Sequence, residues 1–172
     1  MVRILPFLFL LITMFSCGRN ENVIGQFTLD VPVTVRAGLA PLKTHYFVDR
    51  DIKIAFEKYL ETKNVSLEEV VKVEPSSALL TNITDNNGWG FVNKSSVFVF
   101  NPSDEKEEYL SYELNYIPVG VGDELSMIPF ILDVKKLFIA PSIGIKIGLQ
   151  MRSASPNTIQ SILRLRFNVV VE

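Results

Sequence analysis

From Phe27 to Arg36 apolar and polar residues alternate without a fault, with Phe27, Leu29, Val31, Val33 and Val35 on one side and Thr28, Asp30, Pro32, Thr34 and Arg36 on the other. A repeat of two sends successive side chains to opposite faces of an extended chain, and β-branched residues on the apolar side favour a half-buried strand. Pro32 has no amide hydrogen to donate, which places this strand at an edge or beside a bulge. The alternation returns in Leu110, Tyr112, Leu114 and Tyr116, again in Ile143, Ile145, Ile147, Leu149 and Met151, and last in Leu163, Leu165, Phe167, Val169 and Val171. "SASPN" (Ser153 to Asn157) reads as the hairpin loop between the last two. Shorter strand segments are "HYFV" (His45 to Val48), "SALLTNI" (Ser77 to Ile83), "WGFV" (Trp89 to Val92) and "SVFVF" (Ser96 to Phe100). "DNNG" (Asp85 to Gly88) contains the Asn-Gly pair of tight turns, and "NPSDEKEE" (Asn101 to Glu108) reads as an exposed acidic loop.

Helix is the minority pattern. Ile52, Phe56, Tyr59 and Leu60 form one amphipathic stripe within "DIKIAFEKYLETKN" (Asp51 to Asn64). Ser66 with Glu69 three residues on is a capping-box pair, so "VSLEEV" (Val65 to Val70) reads as a fresh helical turn. "DVKKLF" (Asp133 to Phe138) is a further short helix. Turn signals between short alternating strands point to a mainly β chain, a single antiparallel β-sandwich of Ig-like or jelly-roll order with two or three short helices over its open ends.

The chain starts differently. Arg3, a 12-residue apolar run "ILPFLFLLITMF" and the small Ser16 have the parts of an export signal. Twelve residues make only about 18 Å of helix, short of the roughly 30 Å hydrocarbon layer. Directly after this run stands Cys17, the single cysteine, which leaves no intramolecular disulfide to form.

The residues Met14, Phe15, Ser16 and Cys17 resemble the lipobox of bacterial lipoproteins, in which a small residue precedes the cysteine that becomes the acylated first residue of the mature chain. The resemblance covers about the first 20 residues. It implies a diacylglyceryl thioether on Cys17, an acylated amino group, and a membrane held as partner through that anchor. Gly18, rather than Asp, follows the cysteine, which in such lipoproteins favours the outer membrane of a gram-negative cell. The chain then divides into a signal peptide (1–16), a lipidated tether (17–26) and a β-sandwich domain (27–172). In general character that body is similar to small β-sandwich lipoproteins of gram-negative envelopes, a likeness that implies no activity.

Composition narrows function mainly by exclusion. With 48% hydrophobic and 21% charged residues, 172 residues suffice for one packed domain. The net charge of −2 becomes −3 without the leader, because Arg3 is the only charge before Cys17, so nothing attracts nucleic acid. His45, the single histidine, has Asp49 and Asp51 nearby, the elements of a base or of a metal site; a structural histidine on a strand is the plainer reading. Oxygen ligands for calcium exist at Asp85, Asn86 and Asn87 and at Asp104, Glu105, Glu107 and Glu108, but neither run has the spacing of a known loop, and solvated turns account for both. Lys146 and Arg152 with Arg164 and Arg166 suggest a basic strip on one sheet face. Trp89, the single tryptophan, stands between Gly88 and Gly90 beside a turn, where an exposed ring can stack on a sugar or a protein and a buried one closes the end of the core. No nucleophile, base and ligand set assembles from these residues and no cofactor is implied. The expectation is a non-enzymatic envelope lipoprotein whose loops bind a protein or glycan partner. The alternative is a carbohydrate-binding module using Trp89.

Overall fold

The computed structural model describes residues 22–84 and 88–172. The leader, Cys17, the first part of the tether and the turn residues Asp85, Asn86 and Asn87 lie outside the described residues. Eight strands follow one another as β1 (Asn22–Val35), β2 (Thr44–Lys53), β3 (Val70–Asn82), β4 (Val92–Asn101), β5 (Asp104–Leu114), β6 (Glu124–Pro129), β7 (Ser142–Met151) and β8 (Ile159–Val171). Helix α1 (Phe56–Thr62) lies between β2 and β3, and α2 (Lys135–Phe138) between β6 and β7.

Every pairing is antiparallel, and the order across the sheet is β1-β8-β3-β6-β5-β4-β7-β2. β6 is the joint. Its residues Glu124 to Met127 pair with β3, whereas Ile128 and Pro129 pair with β5, so one strand serves two halves. The expected sandwich of two separate sheets is therefore one continuous sheet curled into a half-barrel. Its two edge strands approach each other where a cleft of about 180 Å³ runs between Val31–Thr34 of β1 and Phe47–Asp49 of β2.

The alternation read from the sequence sets the inner face. Val31, Val33 and Val35 of β1, Ile143 to Met151 at every second residue of β7, and Leu163 to Val169 at every second residue of β8 are all buried. Tyr112 of β5 ties the halves together. Its ring is fully buried, its hydroxyl donates to the Arg166 carbonyl of β8 at 2.7 Å, and it accepts from the Ser76 amide at a bulge in β3. Burial pushes that hydroxyl far above the usual phenol range. One end of the half-barrel is plugged by aromatic rings, with Phe56 of α1 set edge-on to Phe27 at 5.4 Å and Phe138 of α2 to Phe167 at 4.9 Å.

Pro32 sits on an edge strand, one of the two settings that its missing donor allows. The other edge strand, β2, is blunted by a bulge between Asp49 and Ile52 and by the charges of Asp49, Arg50, Asp51 and Lys53.

Several segments differ from their sequence reading, each for a tertiary reason. Residues 51–53 extend β2, because β7 pairs with it as far as Lys53 opposite Ser142, and the helix starts only at Phe56. α1 ends where Asn64 takes a φ of 53°, the left-handed conformation that an asparagine tolerates. Glu69 does accept from the Ser66 amide at 2.7 Å, but the turn goes no further, since β3 begins at Val70 opposite Val171. The acidic loop contracts to Pro102 and Ser103, with Asn101 already paired to Asp104. Of "WGFV" only Val92 is strand, and the first residues of the expected tether, Asn22 to Gln26, belong to β1. β6 is short and bounded by weak signals, and no sustained alternation in the sequence predicts it. Nor is "SASPN" a hairpin, for β7 lies between β4 and β2 while β8 lies between β1 and β3.

Candidate binding site on the outer sheet face

The separation of β7 from β8 dissolves the basic strip. Arg164 is clamped by Asp30 across the β1–β8 ladder, at 2.8 Å for both N–O contacts. Arg152 donates to the carbonyls of Gly90 at 2.9 Å and Ile117 at 2.6 Å, which staples two loops together. Lys146 lies on the outer face of the opposite half, three-quarters covered and held by Glu108.

Nor do the other sequence candidates form a site. The Nε2 of His45 meets the Ala40 carbonyl at 2.9 Å and closes the loop before β2. Asp49, four residues along the same strand, is about 13 Å away. Asp51 is held by Lys53 at 2.8 Å, which keeps its carboxyl below the usual range. Trp89 is fully buried, and its indole N–H donates to the Asp123 carbonyl at 2.9 Å, so its ring offers no face to a ligand. Gly90 beside it lies so close to the Val119 carbonyl that a β-carbon would sit 1.9 Å from that oxygen. The tight approach explains the glycine, and it is backbone packing that requires it rather than room for the indole. Among the described residues no group of three or more His, Cys, Asp or Glu side chains is placed to hold a metal, and no helix is long and apolar enough to cross a membrane.

What the fold does bring together is the outer face of the β2-β7-β4-β5 half. Register places Tyr46, Gly148, Ser96 and Glu113 in one row across four strands, and Thr44, Gln150 and Lys94 in the next. These residues and Phe98 line an open groove of about 290 Å³. Two glycines lie on the outward face of β7, Gly148 in the lining of the groove and Gly144 outside it. A β-carbon on Gly148 would fall 2.9 Å from Tyr46 Cε1, and one on Gly144 would fall inside the Phe100 ring, so each aromatic ring lies across a bare stretch of backbone. Tyr46 is 58% exposed. One side of its ring leans on Gly148 and on Lys146, whose ammonium is 5.4 Å from the ring centre and 4.5 Å from that of Phe98. The rest of the ring surface faces water.

Charges in and beside the groove are matched. Lys146 donates to both Glu108 oxygens at 2.5 and 2.6 Å. Lys94 meets Glu113 at 2.5 Å and Asn115 donates to its second oxygen at 2.6 Å, which together hold the Glu113 carboxyl below the usual carboxylate range. Gln150 accepts from Asn93 Nδ2 at 3.0 Å, which orients its amide. The result is a neutral, polar trough with one exposed aromatic ring. Sequence reasoning passed over it, although glycines alternating with Lys146 and Gln150 on the solvent side of a strand are a legible sign that something lies close to the backbone.

Compared with protein-family models, curated proteins and solved structures, the chain has no significant match to any.

Proposed function

We propose that this chain is a non-enzymatic lipoprotein of the cell envelope, anchored through Cys17 in the outer membrane of a gram-negative cell, whose β body binds a ligand on the outer face of β2, β7, β4 and β5. The observation that carries the binding half is the groove over Gly148, where an exposed tyrosine and polar side chains from four strands converge. Its ionisable groups support a binding rather than a catalytic role, since Lys94 and Glu113 neutralise each other, as do Lys146 and Glu108.

The anchoring half stands on Ser16 and Cys17 behind the apolar run. β1 opens at Asn22, five residues beyond Cys17, a span of at most about 18 Å. Two or three acyl chains, at about 0.8 kcal/mol per buried methylene, hold such a body nearly permanently at a bilayer. A carbohydrate reading built on Trp89 loses the exposed ring it needed.

The test is metabolic labelling with a radioactive fatty acid in a gram-negative host. Label on the wild-type chain, its loss in Cys17→Ala and recovery of the variant in the soluble fraction are the expected results. An unlabelled, freely soluble wild-type product would remove the anchor.

A further inference from the structure

We infer that the groove over Gly148 is a saccharide subsite, with the Tyr46 ring as its stacking platform; the inference rests on the binding role proposed above. Four features of the groove select this ligand chemistry. First, the platform is a single ring laid against the sheet with its remaining surface exposed, which suits a ligand with one apolar C–H face. Second, its polar surroundings are hydroxyl, amide and paired-charge groups at Thr44, Ser96, Gln150, Lys94 and Glu113, which offer donors and acceptors to neutral hydroxyls without a net charge.

Third, β7 and β4, which form the floor between Tyr46 and Glu113, are each paired on both sides, so an extended peptide could add here only along the β2 edge, which its bulge and its run of charges blunt. Fourth, each lysine here is already bound by a glutamate, which removes the free cations that a phosphate backbone or an anionic headgroup requires. The row from Tyr46 to Glu113 crosses three strand spacings, about 14 Å, which is long enough for more than one sugar ring.

Gly148 is part of the device rather than a passive gap. Its missing β-carbon lets the tyrosine ring lie down, and both atoms that an added β-carbon would crowd, Tyr46 Cε1 and Ser96 Oγ, belong to side chains that can swing away. Gly148→Ala therefore keeps the fold and lifts the platform. This separates ring orientation from ring presence.

The experiment titrates the full-length mature protein with cellohexaose, maltohexaose, chitohexaose and a soluble muropeptide mixture, and follows amide chemical shifts by NMR. The expected result is saturable shifts at Ser96, Gly148 and Gln150 with at least one probe. Affinity should fall at least tenfold in Tyr46→Ala and in Gly148→Ala, and should be kept within threefold in Tyr46→Phe, while Trp89 fluorescence and the melting temperature report that each variant is folded. No saturable shift with any probe, or binding unchanged in folded Gly148→Ala and Tyr46→Ala, overturns the inference.

A photo-crosslinking residue at position 46 in cells tells that failure from failure of the wider reading. A specific protein adduct without any sugar response discards the saccharide and leaves the face as a binding surface. Neither adduct nor response discards both.

Discussion

Trp89 shows how much one residue decides. Set beside a turn and between two glycines, it has the local sequence of an exposed stacking ring, yet it is the largest fully buried side chain among the described residues and spends its one donor on Asp123. Its ring is tilted against Phe91 at 5.9 Å. Trp89→Ala is expected to cost about 3–5 kcal/mol, the range for deleting a buried aromatic ring. That is a large share of the roughly 5–15 kcal/mol that holds a domain of this kind folded. Denaturant titration measures it, and because there is a single tryptophan, iodide quenching of the native protein reports this ring alone. Strong quenching, or a loss under about 1 kcal/mol, would contradict the burial.

At the scale of elements, the β1–β8 ladder combines a buried apolar face with an ion pair on its solvent face. Asp30 and Arg164 stand directly opposite each other, and the bond from the guanidinium holds the Asp30 carboxyl below its ordinary value. A carboxylate whose folded pKa is depressed contributes stability that is complete above the unfolded value, near 4, and is lost as pH falls through the folded one. Both side chains are nearly half exposed, at 46% and 45%, so water screens the pair and its worth is at most about 1 kcal/mol. Asp30→Asn should therefore destabilise by up to that amount at neutral pH and by progressively less as pH falls below about 4, as measured by urea midpoints at neutral pH and at the lowest pH at which the protein stays folded. An equal gap at both would show that the contribution is not ionic.

The elements also show where local pattern is overruled. The stripe from Ile52 to Leu60 is helical by spacing, but its first residues gain more from pairing with β7 than from one more helical turn, and a short helix is weak without a packed face. Residues 70–76 are strand without a strand signal of their own, for a related reason. A capping-box pair just before them points to helix, and only β8 alongside makes them extended.

At the scale of the whole molecule, the described residues form one sheet rather than two. Because β6 pairs with both halves and Tyr112 hydrogen-bonds across the core, neither half has an independent interior. Thermal unfolding should accordingly be a single transition, with far-ultraviolet circular dichroism and Trp89 fluorescence changing together. Two separated midpoints would mean that the halves fold as separate units.

The candidate site belongs to this scale as well. Tyr46, Ser96, Glu113 and Gly148 come from four strands spread over more than a hundred residues, and no spacing along the chain announces that they share a row.

What the sequence alone determined is which residues face inward on β1, β7 and β8, the predominance of antiparallel strands, and the choice of an edge or a bulge for the strand that carries Pro32. These follow from steric and hydrophobic preferences that act within a few residues. Tertiary structure decided the strand order, the joint at β6, the burial of Trp89 and the row of side chains over Gly148. Those depend on which strand lies beside which, and a period of two specifies a strand's face while saying nothing about its neighbour.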